Sequence, residues 1–435
     1  MLSASIRSDG SSKFGSDKRW GTFYSLSLGW RVKQELFLQN VDWLNELKLR
    51  ASTGTNGSNN IGSYSSYSTL GQFNYSIGGA VGIGQGVNSI SNPSLHWEES
   101  KSIDFGLDLS ILKNRISATF DVYRKTNSDL LLRLPVPAAS GFTSYLTNVG
   151  EVQNQGWEFE LNTLNFKTDN FEWRTSANIS HNENKVMALG PDQTKIEISN
   201  AFDGGVPFIK LEVGKPMYTI FGLQQNGVVT QADVDAGGTT IGGNKLVLGD
   251  PRYIDQNGDK KINSEDRVDL GNPTPKYTWG ITNTFKYKDL DLSVLVQGQN
   301  GGTVYGLTGR AIDRTGMGSV ENSLDVDPAV RGNWKTSFGY QANSDWLYKS
   351  DYVSIRSISI GYNLREAVKS IKRIDNMRLY ITGENWFYWN KYKVGFNPEA
   401  VNTSGSSNND FAVPVDYGGA PLAKSIVLGL NVNFN

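Results

Sequence analysis

Cysteine is absent from this 435-residue chain, and histidine occurs only at His96 and His181. Without thiols there is no disulfide framework, no cysteine zinc site and no thiol nucleophile. Two histidines nearly exclude a multi-histidine metal centre or a His-based triad. An excess of either charge is also missing: 42 Lys and Arg against 43 Asp and Glu leave a net charge of -1. Nucleic acid, whose phosphates demand a strong basic surplus, is therefore not the partner. No run of ~18 apolar residues is available to span a membrane as a helix. The opening "MLSASIRSDG" has no basic segment followed by an apolar one, so no export signal is visible and an exported form would have to start upstream.

What the chain does have is 47 glycines and 11% aromatics, the glycine above the usual ~7%. Its period is two. In "KYTWGITNTFKYK", Tyr277, Trp279, Ile281, Phe285 and Tyr287 share one face, and Lys276, Thr278, Thr282, Thr284 and Lys286 the other. "SIDFGLDLSI" sets Ile103, Phe105, Leu107, Leu109 and Ile111 against Asp104, Asp108 and Ser110. "GWEFEL" sets Trp157, Phe159 and Leu161 against Glu158 and Glu160. Such alternation marks strands with one apolar and one polar face. Twelve segments carry it, at 1–7, 19–32, 43–54, 97–112, 115–126, 147–165, 171–186, 275–288, 289–303, 351–364, 376–389 and 424–435. Several match the ~9–11 residues of a tilted transmembrane strand. The segment 1–7 falls short of that.

The connections sort by side. Alternate ones are tight ("LKNR", "KTDN", "KYKDL") or look helical (33–42 and 365–375), whereas 55–95, 127–146, 187–274, 304–350 and 390–423 are long. Short turns at one end and long loops at the other are the layout of an outer-membrane barrel. A small soluble barrel fills its interior with apolar side chains. Here one face carries Asp, Glu, Lys, Thr and Asn, so the apolar face looks outward to lipid. The reading is all-β: an antiparallel transmembrane β-barrel, of which residues 1–435 supply about twelve strands. An unpaired strand edge in lipid is costly, so the remaining strands are expected from sequence preceding Met1.

The segments "IRSDGSSKFGSDKRWGTFYSLSLGWRV", "LKLRASTGTNG", "NPSLHWEESKSIDFGLD", "DVYRKTNSDLLL", "NVGEVQNQGWEFEL" and "DQNGDKKINSEDRVDLGNPTPKYTWG" resemble, in order, barrel segments of SusC/RagA-type TonB-dependent transporters. The resemblance implies a ~22-strand barrel with an N-terminal plug that this chain lacks. It implies energy-dependent import of large nutrients, oligosaccharides or peptides. The implied partners are a SusD-like surface lipoprotein as lid, the TonB complex acting through the missing plug, and the lipid bilayer. At the C-terminus, Gly429, Val432 and Phe434 in "GLNVNFN" resemble the signal read by the outer-membrane assembly machinery, with Asn435 beyond the usual final aromatic.

"DQNGDKKINSED" has the spacing of an oxygen-ligand calcium loop. Asp255, Asn257 and Asp259 fall at positions 1, 3 and 5, the Lys261 carbonyl at 7, Asn263 at 9 and Asp266 at 12. Lys260 stands where glycine normally takes positive φ, and Asp266 is shorter than the usual Glu. Flanking Gly and Pro exclude paired EF-hand helices. The expectation is a weak structural Ca2+ site, near ~10⁻⁴–10⁻³ M, in an extracellular loop. The bland alternative is an Asx-rich turn.

Loop aromatics, Tyr305, Trp334, Tyr340 and Trp346 among them, are candidates for stacking on substrate. "GGAVGIGQGVN" reads as a flexible loop. Glu158 and Glu160 decorate the polar face and form no glycosidase dyad, so nothing calls for an enzyme. Two rival readings stay open: a self-contained passive channel and a calcium-dependent soluble carbohydrate-binding β-protein.

Overall fold

The computed structural model describes residues 1–142, 144–199, 207–237, 244–309, 341–364, 366, 371, 373–399 and 415–434. Twelve strands form one antiparallel sheet in chain order. They are β1 (Leu2–Gly10), β2 (Trp20–Arg31), β3 (Leu44–Ser58), β4 (Glu98–Ile111), β5 (Ile116–Ser128) and β6 (Glu151–Lys167). Then follow β7 (Phe171–Ala188), β8 (Tyr277–Tyr287), β9 (Leu290–Asn300), β10 (Tyr352–Asn363), β11 (Ile374–Asn390) and β12 (Ser425–Phe434). Each overlaps one of the twelve segments read from alternation. β1 and β12 are the two edges of the sheet. Among the described residues no helix is long and apolar enough to cross a membrane. The strands of the sheet run from 9 residues in β1 to 18 in β7.

Register turns the alternation into two surfaces. Leu49, Leu107, Phe120, Phe159, Ile179 and Trp279 are successive cross-strand partners and make one apolar row. One residue along, Arg50, Gly106, Asp121, Glu158, Ser180 and Thr278 make a polar row on the opposite face. Apolar side chains on the first face stay open in the isolated chain, with Phe105 60% and Leu428 75% exposed. Water penalises that display by ~25 cal/mol per Å²; a hydrocarbon surround removes the penalty.

The polar face is tied by arginines that reach over glycines. Arg50 lies across Gly106 to meet Asp121 at 2.8 Å and also pairs with Asp108 at 2.9 Å, where Lys48 joins. A Cβ on Gly106 would sit 2.4 Å from the Arg50 guanidinium. Arg378 crosses Gly361 in the same way to reach Asp291 at 2.5 Å. The Arg50–Asp121 and Arg378–Asp291 links each tie strands that are not direct neighbours, passing over a glycine of the strand between.

Three expectations are corrected. β1 extends to Gly10 because Ser8, Asp9 and Gly10 pair with Thr22, Gly21 and Trp20, so it reaches the length of a spanning strand despite its polar end. Segment 33–42 forms a single 3₁₀ turn at Val32–Gln34 and no longer helix. Lys33 Nζ donates to the carbonyls of Leu38, Gln39 and Val41, which a helix would have satisfied internally. Of 365–375, residues 365, 367–370 and 372 lie outside the described residues. Finally, "GGAVGIGQGVN" is no flexible loop: Ala80–Val87 pairs with Leu70–Ile77 as a hairpin, and the rings of Phe73 and Tyr75 cover its glycines 82, 84 and 86.

Candidate functional site

At the long-loop end the connections fold into a body with its own core. Strands Lys195–Ser199, Pro207–Glu212, Thr219–Leu223 and Arg267–Gly271 form a four-stranded sheet. Its buried cluster joins Val186 of β7 to Ile198, Phe208, Ile209, Leu211 and Ile220. Tyr305 and Trp346 enter the same cluster from a later loop. Tyr305 stacks on Phe208 at 4.9 Å, and both Tyr305 and Trp346 are 0% exposed. They hold the body together, and their faces are not open to a ligand. The stacking role expected of these two is therefore corrected. Trp334 and Tyr340 lie outside the described residues. Among the described residues, open aromatics of the long loops include Tyr64, Tyr67, Phe73, Tyr75 and Phe396.

Charges bind the outside of this sheet. Lys210 Nζ meets Glu212 and Asp269, each at 2.5 Å, and Lys215 reaches Asp269 at 3.0 Å. Burial works against both ions, yet the hydrogen bonds win: Lys210 is held above the ordinary lysine range and Asp269 below the ordinary carboxylate range. Lys210 and Arg267 also flank the Phe221 ring, at 5.7 and 5.6 Å. Beneath lies a buried polar knot, in which Asn343 donates from Nδ2 to the Tyr253 hydroxyl and from its backbone to the Tyr305 hydroxyl. Burial pushes both phenols well above the tyrosine norm.

The 253–267 loop closes on itself. Asp255 accepts from the backbone N–H of Gly258 and of Lys260, both at 2.7 Å. Asn257 accepts from Asp259 N–H, and Asp259 from Lys261 N–H. Asp266, fully buried, accepts from the N–H groups of Gln256 and Asn263. Lys260 takes φ 63°, the left-handed turn the spacing demands, and its bond to Asp255 offsets the ~1–2 kcal/mol strain. Ile262 packs with Leu223 and Tyr253. The acids thus face backbone donors. Among the described residues no three Asp, Glu or His side chains converge as a metal-holding group.

A clasp that the alternation alone missed ties a long loop to the barrel wall. Arg356 of β10 forks onto both oxygens of Glu399 at 2.8 Å, and its other nitrogen donates to Asn385 of β11. Arg356 sits at a bulge between Ile355 and Ser357. The signal was present: in "YVSIRSISIGY" the apolar phase slips from Val353 and Ile355 to Ile358 and Ile360. On the last strand, Gly429 lies under the Tyr380 ring, where a Cβ would come within 2.1 Å of Cζ, and Phe434 is 73% exposed at the edge.

A family profile described as "TonB dependent receptor-like, beta-barrel" matches residues 1–385. The chain belongs to that family. Among curated relatives, a TonB-dependent receptor of Formosa agariphila is 32% identical over 450 residues, covering 100% of this chain and 44% of its own length. TonB-dependent receptor SusC of Bacteroides thetaiotaomicron is 29% identical, with 100% and 42% covered. The chain therefore spans less than half the length of the curated relatives it matches. Among solved structures, the RagAB peptide transporter superposes with a TM-score of 0.78 at 23% identity, over 99% of this chain and 45% of that one. The TonB-dependent receptor is of the SusC/RagA type and an outer-membrane protein. Its long loops, and the body they build, are extracellular.

Proposed function

We propose that residues 1–435 form the C-terminal part of the barrel of a transporter that imports large nutrients, oligosaccharides or peptides, across the outer membrane. The observation that carries this is the continuity between a polar inner wall and the folded extracellular body rooted on β7. In this reading the remaining strands of a ~22-strand barrel and a plug come from preceding sequence. The open edges at β1 and β12 support it, as does the greater length of the relatives. TonB would energise import through the plug, and a SusD-like lipoprotein would cover the extracellular body. The test is uptake of labelled oligosaccharides and peptides by cells with and without the gene. Uptake should vanish on deletion and stop when a protonophore collapses the inner-membrane gradient. Uptake that survives the protonophore would identify a passive channel instead.

We also propose that the 253–267 loop takes Ca2+ weakly. The turn at Lys260 and the buried Ile262 support the expected loop shape, and Asp255, Asn257, Asp259, Lys261, Asn263 and Asp266 supply the oxygens. Because those acids already serve N–H donors, binding would have to draw them inward, which places affinity near ~10⁻⁴–10⁻³ M. Calorimetry on the folded protein should show saturable heat that Asp259→Ala removes. Absence of heat at millimolar Ca2+ would leave a self-closed Asx turn.

A further inference from the structure

The outer surface of β4 to β7 is graded in height by its cross-strand rows. The row Leu107, Phe120, Phe159 and Ile179 is apolar. Two residues nearer the extracellular end comes Phe105, Val122, Trp157, His181 and Tyr277. Here Trp157, His181 and Tyr277 cluster, with His181 and Tyr277 ring centres 4.9 Å apart. This is the aromatic belt expected where hydrocarbon meets headgroups. The next row is Ile103, Arg124, Gln155 and Glu183, and the next Lys101, Thr126, Gln153 and Lys185. Above these the row turns acidic at the rim, with Glu99 and Glu151 flanking Ser128.

Two observations single out the cations of these two rows. First, a groove of about 520 Å³ opens at the Arg124 row, floored by Ile103, Phe105, Val122 and Trp157 and bordered by Arg124, His181 and Glu183, the last two 3.9 Å apart. Second, the side chains of Lys101, Arg124 and Lys185 have no hydrogen bond or ion pair among the described residues. On the inner face, by contrast, Arg50, Arg356 and Arg378 are each engaged by a carboxylate. A cation held beside hydrocarbon feels a lower effective dielectric than one in open water, so an anion placed there gains more. Guanidinium and phosphate match in geometry and charge.

We propose that this groove binds a phosphate-bearing lipid of the outer leaflet. Its phosphate sits between Arg124 and Lys101, diagonal neighbours on adjacent strands. Its acyl chains lie along Ile103, Phe105 and Val122. Lys185, three strands from Lys101 and ~14 Å away at sheet spacing, flanks the far side of the headgroup. The depth is bracketed from both directions: hydrocarbon rows below exclude a charge, and Glu99 and Glu151 above repel an anion. An acidic protein partner would approach from above, through those same acids, and is disfavoured. His181 contributes shape: its Nδ1 donates to the Lys276 carbonyl at 2.7 Å, which fixes the ring against Trp157.

The test uses the complete outer-membrane protein that contains this chain, purified in neutral detergent. Lipid A is the probe, with dephosphorylated lipid A and inorganic phosphate as comparisons, and bound lipid is read by native mass spectrometry and equilibrium titration. Removing a juxtamembrane basic charge costs roughly fivefold in affinity, so Lys101→Gln with Arg124→Gln should weaken lipid A binding by about thirtyfold. Lys125→Gln, one residue along and on the opposite face, should change nothing. Heat-modifiable gel migration confirms that each variant is folded. Equal binding of dephosphorylated lipid A, inorganic phosphate binding as tightly as the lipid, undiminished binding by the double variant, or an equal loss in Lys125→Gln would each overturn the proposal.

Discussion

Phe159→Arg is expected to cost the folded barrel roughly 2–4 kcal/mol, and Glu160→Arg beside it close to nothing. Both residues lie in the middle of β6, and their cross-strand neighbours show why they differ. Phe159 stands between Phe120 and Ile179, in a row that is apolar from Leu49 to Trp279. A guanidinium there must either enter hydrocarbon or drag water to the bilayer midplane. Glu160 stands between Thr119 and Asn178 on the other face, where Asn162 donates to its carboxylate at 2.7 Å. An arginine there joins a wall that already holds Arg50, Asp108 and Asp121. Urea titration of the protein refolded into vesicles separates the two costs. Similar costs for both would place the apolar face against protein or water, and the membrane reading would fail.

The same one-residue contrast explains how much was legible. A spanning strand writes its two environments into adjacent positions, so the sheet from β2 to β12 followed from alternation, and the pairing order followed from chain order. Departures occurred where a local signal is overridden by tertiary pairing. Ser8, Asp9 and Gly10 fall outside the alternating segment 1–7, yet β2 recruits them as strand. Gly78–Asn88 looks flexible, yet most of it pairs as a strand and the Phe73 and Tyr75 rings cover Gly82, Gly84 and Gly86. Segment 33–42 looks helical, yet one ammonium gathers its carbonyls. The extracellular body was not legible at all, because its core joins Val186, Phe208, Tyr305, Trp346 and Val415 across loops with no shared period. Aromatics inside and outside such a core look alike in sequence, which is why Tyr305 and Trp346 read as candidates for stacking on substrate although both are buried.

That difference in placement gives the second large effect. Trp346→Ala is expected to cost the extracellular body about 3–5 kcal/mol, the range for truncating a buried large aromatic. Trp346 ends the short 3₁₀ turn Ser344–Trp346, whose start is fixed by Asn343 Oδ1 accepting from Asp345 N–H. Asn343 is itself held by the Tyr253 and Tyr305 hydroxyls. A cavity at Trp346 therefore loosens the turn, the polar knot and the four-stranded sheet together. The barrel wall is stabilised by different means, strand pairing and a lipid-facing surface, so it should stay folded. Hydrogen exchange checks this: amides of Pro207–Glu212, Thr219–Leu223 and Arg267–Gly271 should exchange faster, while those of β4 to β6 stay protected and heat-modifiable migration is unchanged. Trp346→Phe should recover most of the protection, since an aromatic ring refills the space. Loss of protection across β4 to β6 as well would mean that body and barrel open as one cooperative unit, and the clasp from Arg356 to Glu399 would then be a structural strut of the whole sheet rather than a tether for one loop.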